Sequence, residues 1–315
     1  MSIDRVATAQ QSSYFLSQIN QAGVRLDDIN RQIASGVVAE TYAGFGDQAQ
    51  VLQATISAHG RNEAYARATT LAATQADLQN TQLTALSDLT AQLKKVVADA
   101  VANNDPRVLM AQVESVFSQT VTILNSKDAN GDYIYSGGRT DTAPVGISTL
   151  SQLIALPSAA ASFTNGFDKK AVQVGDGQSV VFGVAASEVA TGLMQALKDI
   201  ATFDATPAGN FDASTNLSGA QASFLTGQIT ATDTVAQGLV AVTARNGNIF
   251  KQLEAVQEQQ TSMKTLYAGF IDKIQNTNMA EAATQLSLNQ TALQAALQVT
   301  ATLNQLSLLN YLPVR

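Results

Sequence analysis

The sequence predicts a mainly α fold: long coiled-coil-like helices at the N- and C-terminus that pair with each other, a long-helix bundle domain, and a small inserted α+β domain with short antiparallel strands. Three observations predict it. Near the start, Ile19, Leu26 and Ile33 recur every seven residues with Phe15, Ala22 and Ile29 in the companion register, which is the apolar seam of a helix packed on another helix. At the other end, Ile274 to Val314 holds a single charge, Glu281, and neither Gly nor Pro before Pro313. That reads as one continuous helix of about 54 Å, too poor in charge to face solvent all round. Between these ends Gly131, Gly137, Gly138, Pro144 and Gly146 follow in quick succession, and the helical period is lost.

Taken in order, the first helix is broken by Gly36, Gly44 and Gly46, and Asp27 and Arg31 sit at i and i+4 on its outer face. Asp47 with Gln50 reads as a capping box opening a second helix that runs to about Asn104. Asp105 and Pro106 read as N-cap and first position of a third, ending near Asn125. Ala171 to Val174 and Ser179 to Val184 are β-like runs joined through Gly175, Asp176 and Gly177, a hairpin. A helix over about Glu188 to Phe203 follows. Ser218 with Gln221 is a second capping box, starting a helix that continues to about Asp272, before the last one. The expected domains are 1–40 with 275–315 as a terminal helical pair, 41–141 with 215–274 as a bundle, and 142–214 as an outer insert.

Composition removes several functions. Of the 315 residues 45% are apolar and 14% charged, a globular balance that leans on Ala and has no Trp, so close helix packing through small side chains is favoured. The net charge of −7 comes without any Lys/Arg cluster, which excludes the electrostatic footprint of a nucleic-acid binder. Zero Cys and a single His, His59, leave no thiolate or multi-His metal site. Met1 to Phe15 lacks the apolar core of a signal peptide, and no apolar run is long enough for membrane insertion.

Candidate chemistry is sparse. Asp128, Asn130 and Asp132 hold the first, third and fifth places of an EF-hand loop, but Gly131 comes one place early, Tyr133 stands where Gly is needed, and Arg139 replaces the bidentate Glu. A tight turn is the expectation. Gly175-Asp-Gly177 and Gly44-Phe-Gly46 lack the context of a dinucleotide site and read as turns. Asp27 and Asp28 point apart on their helix, and the candidates for an enzyme in the insert are Asp168, Lys169, Lys170, Asp176 and Glu188. No catalytic residue, cofactor or metal is expected. What remains is an assembly seam: Phe15, Ile19, Leu26, Ile29 and Ile33 at one end, and Met279, Leu286, Leu293, Leu297, Leu303, Leu306 and Leu309 at the other.

The segment Leu124-Asn-Ser-Lys-Asp-Ala-Asn-Gly-Asp-Tyr-Ile-Tyr-Ser-Gly-Gly-Arg-Thr-Asp-Thr-Ala-Pro144 resembles the end of the first helical block in the hook-associated protein 3 family, the bacterial flagellar hook–filament junction proteins. Gln32-Ile-Ala-Ser-Gly36, Ala244-Arg-Asn-Gly247, Thr277-Asn-Met-Ala-Glu281 and Leu306-Ser-Leu-Leu-Asn-Tyr-Leu312 resemble the wider flagellin superfamily. About Val145 to Asn216 is weakly matched. The resemblance implies a secreted structural protein without an active site, exported by the flagellar type III apparatus after a flagellar export chaperone has held its C-terminal region. It implies a ring of self-associated subunits between hook-associated protein 1 and flagellin. Val37 and Gly46-Asp-Gln48 depart from the flagellin pattern, whereas Arg315 two places after Pro313 is similar to a flagellin ending, so a flagellin-like filament subunit stays open as the alternative.

Overall fold

The computed structural model describes residues 3–309, with side-chain surroundings for residue 10 and residues 13–302. It is mainly helical with one two-stranded sheet. The elements are α1 (Ile3–Ser35), α2 (Ala49–Asn103), α3 (Leu109–Leu124), α4 (Leu150–Ala155), β1 (Lys170–Gly175), β2 (Gln178–Phe182), α5 (Ala186–Asp204), α6 (Gly219–Gln275) and α7 (Met279–Leu309). Two compact units emerge: Met1–Arg61 with Met263–Arg315, and Asn62–Ser262.

In the first unit α1 ends at Gly36, whose φ of +74° is the left-handed C′ conformation that glycine adopts without a Cβ penalty. Its N–H donates to Gln32 O at 2.9 Å. The next residues clasp the junction between α6 and α7: Val38 N–H donates to Gln275 O and Thr277 N–H to Gly36 O, each at 2.9 Å. This clasp interrupts the single helix expected from Ile274 onward. Thr277 gives its amide to Gly36 instead of to its own helix, and Asn278 Oδ1 then accepts from Glu281 N–H at 3.3 Å as the N-cap of α7. Two other local expectations also give way here. Arg31 pairs with Asp28, one residue closer than Asp27, and Asp47 lies inside a 3-10 segment, Tyr42–Gln48, that runs straight into α2, so it is not that helix's N-cap.

The second unit has one large apolar core. Leu83, Leu86 and Leu93 of α2, Val113, Val116 and Phe117 of α3, and Leu193, Leu197 and Ile200 of α5 are all essentially inaccessible and belong to one cluster, joined by Leu225 and Leu239 of α6. Residues between 142 and 214 share it through Val145, Leu153 and Phe211. The short helix α4 begins with a capping box between Thr149 and Gln152. It ends on Lys198 of α5, whose ammonium donates to Leu153 O, Ile154 O and Leu156 O at 2.9, 2.8 and 2.7 Å. The box at Ser218 forms as expected, with Ser218 N–H donating to Gln221 Oε1 at 2.7 Å and Gln221 N–H to Ser218 Oγ at 3.2 Å. The N-cap expected at Asp105 does not form. Its carboxylate turns to the guanidinium of Arg107 (2.6 and 2.8 Å), Pro106 O closes a turn with Leu109 N–H, and α3 starts at Leu109.

β1 and β2 form the expected antiparallel hairpin, with Val172 opposite Val180 and Ala171 opposite Val181. β2 stops at Phe182 because Gly183 takes φ +90°. Val172, Val174, Val180 and Phe182 fall on one face and pack with Ala72, Ala73 and Ala76 of α2 and Leu253 of α6. Beside them, buried amides bridge the two long helices. Asn246 Nδ2 donates to Ala76 O at 2.8 Å, and Gln260 Nε2 donates to Thr69 Oγ1 and Val174 O at 3.0 and 2.9 Å. Helices poor in charge here meet through small side chains and hydrogen-bonded amides.

Candidate functional site

The two terminal helices carry the strongest functional candidate. α1 packs along α7, and because Gly36 is bonded at the start of α7 the two run antiparallel. Equal rise from that clasp brings Ile29 level with Ala282, Leu26 with Leu286, and Ile19 with Leu293. Of these, Ile29 and Ala282 are buried, and Ile19, Leu26, Leu286 and Leu293 are half-buried, as are Phe15 and Ile33. Met279 and Leu297 are exposed on the outside of the pair. Leu303, Leu306 and Leu309 lie beyond the described side chains, and the end of the Leu306–Leu312 motif lies beyond the described residues.

The pair leaves further apolar surface uncovered. On α1, Leu16 and Val24 are more than half exposed, and on α7 so is Leu288. These residues fall outside the seven-residue register that locates the seam. The signal that would have found them is simpler: apolar residues at positions where a surface helix carries charge. Around them the polar side chains of α7 turn back on their own helix. The hydroxyls of Thr284, Thr291 and Thr302 donate to carbonyls one turn earlier at 2.7–2.9 Å, and Asn289 Nδ2 donates to Gln285 O at 2.8 Å. Hydroxyls and amides satisfied in this way can be covered by a neighbour at little desolvation cost, which a charged face would not allow.

Of the five charged candidates, Asp168, Lys169, Lys170 and Glu188 lie near one another and Asp176 lies apart. Glu188 is held by Lys169 at 3.0 Å and Arg245 at 2.7 Å. Asp176 follows the far end of β1, about 20 Å of extended backbone from Lys170, and accepts from Tyr65 Oη at 2.7 Å. Asp168, Lys169 and Lys170 line a cavity of about 20 Å³ with Gln75, Gln79 and Gly183, room for about one water molecule. Asp128, Asn130 and Asp132 form a turn: Asp128 Oδ1 accepts from Asn130 N–H and Asp132 N–H at 2.8 and 3.1 Å. Among the described residues no cluster of acids and histidines could hold a metal, and no helix is long and apolar enough to cross a membrane. His59 is half-buried in α2. Among the described residues three groups are shifted from their ordinary range: Asp105, its partner Arg107, which is raised by the hydrogen bond to Asp105, and Tyr135. The side-chain hydrogen bond from Arg107 holds Asp105 down at about 2, and burial pushes the Tyr135 phenol well up.

With this geometry in view, no family model matches the protein, and no curated protein matches it in sequence. Solved structures do. One described as a flagellar hook-associated protein from Vibrio parahaemolyticus superposes with a TM-score of 0.60 at 15% identity, over 72% of this protein and 97% of that one. Bacillus cereus FlgL superposes with a TM-score of 0.51 at 11% identity, over 70% and 98%. The fold is shared with flagellar hook-associated proteins. At such identities the likeness is one of architecture, and nearly the whole length of each neighbour takes part in it.

Proposed function

We propose that this protein is a structural subunit of the bacterial flagellum, forming the junction ring between hook-associated protein 1 and the flagellin filament. The observation that carries the proposal is the antiparallel pair of α1 and α7, which has apolar side chains on its outside and, on α7, an almost uncharged polar surface around them. The shared fold and the resemblance of Leu124–Pro144 support the same reading. In it, the terminal helices (1–40 and 275–315) form the inner assembly part, 41–141 with 215–274 the bundle outside them, and 142–214 the outermost part. Subunits add head to tail, a heterologous contact that generates a helical array. Apolar positions left open in the monomer are covered by neighbouring copies, so ordering of the termini is completed on assembly. A flagellar export chaperone would shield the C-terminal helix before export through the type III apparatus, and the protein would act outside the cell.

Electron microscopy of a strain lacking the gene tests the role. Hooks without filaments, with flagellin shed into the medium, are expected. A full filament of altered composition would overturn the junction role in favour of a flagellin-like filament subunit. Deleting Thr277–Arg315 should leave a soluble monomer that joins no filament, and filament growth on the truncated protein would refute the role given to α7.

A further inference from the structure

Asn followed by Gly occurs three times, at Asn130, Asn165 and Asn246. In such a step the missing Cβ lets the glycine nitrogen approach the amide carbon of the preceding side chain. The fold treats the three differently. Asn246 is buried in the middle of α6, bonded to Ala76 O, with Gly247 inside the helical ladder. Asn165 is buried too. Its Nδ2 donates to Gly166 O and Ser187 Oγ, both at 3.0 Å, and its Oδ1 accepts from Ser187 N–H at 3.1 Å. Asn130 is exposed, and so is Gly131, which sits at φ +87° in a turn closed by Gly131 N–H to Asp128 O at 3.0 Å. That solvent-facing hydrogen bond is what cyclisation must release.

We propose that Asn130 is a site of self-modification by deamidation, with water as the co-reactant. The nitrogen of Gly131 attacks Cγ of Asn130 and bonds to it, and the bond from Cγ to Nδ2 breaks as ammonia leaves with the proton from the glycine amide. Water then opens the cyclic imide at either carbonyl, giving aspartate or its β-linked isomer. The net change is one water gained and one ammonia lost, with no redox step. Either product places a third carboxylate beside Asp128 and Asp132, and the β-linked one also lengthens the backbone inside the turn. The amide of Asn130 and that of Asp132 both bond Asp128 Oδ1, whose partner oxygen accepts from Gln75 of α2 at 3.0 Å. Modification therefore acts on the contact that ties this turn to α2.

The full-length native protein, aged in mildly alkaline buffer made with oxygen-18 water and mapped by peptide mass spectrometry, tests this. Asn130 should incorporate the label more than about tenfold faster than Asn165 or Asn246, since reaction at the buried sites requires local opening. In concentrated urea the three rates should converge. Asn130→Gln should abolish the signal from that peptide. Native rates at Asn130 no faster than at the buried sites would overturn the proposal, and so would a preference that persists in urea, because local sequence and not the fold would then set it.

Discussion

Replacing Ile29 by Ala tests whether the clasped end of the α1–α7 pair holds the terminal helices together. Ile29 is 7% exposed, the most buried apolar side chain described on α1, and lies level with Ala282, the one buried among the described side chains of α7. The substitution removes three carbons, worth about 2.4 kcal/mol at about 0.8 kcal/mol each. A cavity in a closed core would add to this, but between two helices open on their outer sides the gap can collapse or fill, so about 2–3 kcal/mol is expected. That corresponds to roughly a 50-fold gain in the open population. Native-state hydrogen exchange reads it directly: amides of α7 from about Ala282 to Leu293 should lose protection by that factor, whereas those of α3 in the other unit should not change. Val24→Ala is the control, because Val24 is 61% exposed and its truncation should cost less than about 0.5 kcal/mol. Unchanged α7 protection in Ile29→Ala, equal effects of the two variants, or wild-type α7 amides with no protection to lose would each refute the reasoning.

Lys198→Met keeps the apolar stem but strands three carbonyls at the end of α4. A loss of about 2 kcal/mol is expected for one charged donor, measured as a lower urea midpoint at unchanged slope, and Lys198→Arg should recover only part of it because a planar fork cannot converge on three acceptors. Ser218→Ala breaks the reciprocal cap of α6 and should cost about 1 kcal/mol, with exchange rising in the first turn of α6 only. Asp105, held down by Arg107, should titrate by NMR near 2, as against the ordinary carboxylate value of 3.8. A depressed folded value means that the stabilising contribution is present above the unfolded pKa and is lost as pH falls through the folded one. In Arg107→Gln the midpoint should return toward the ordinary value, and an unmoved midpoint would discard the assigned cause.

The elements legible in the sequence were those whose signals are local. Gly175-Asp-Gly177 between two β-branched runs gave the hairpin, and Ser218 with Gln221 gave the start of α6, since each depends on residues within one turn of each other. Asp105 has the same kind of signal but a stronger local competitor, as Arg107 takes both carboxylate oxygens. The expected end of α6 near Asp272 falls close to the observed Gln275, but the contact that fixes it was not visible, since the Thr277 amide is accepted by Gly36, some 240 residues away. The cap that Lys198 provides for α4, and the bridges from Asn246 and Gln260, are equally non-local. Of the candidate site, the seven-residue period picked out Ile29, which is buried, together with Met279, which is exposed. It carried no information on Leu16, Val24 and Leu288, which face away from that pair.

The clasp at Gly36 has a topological consequence. Because Val38 is bonded to Gln275 and Thr277 to Gly36, the polypeptide between about residues 39 and 274 leaves from and returns to one point. Joining those two ends by a short turn would convert the terminal helices into a simple hairpin with its own closing residues. Residues added to or removed from that excursion need not shift the register of α1 on α7, since three residues at each junction set it. The excursion can therefore vary in length and content while the paired ends keep a constant form.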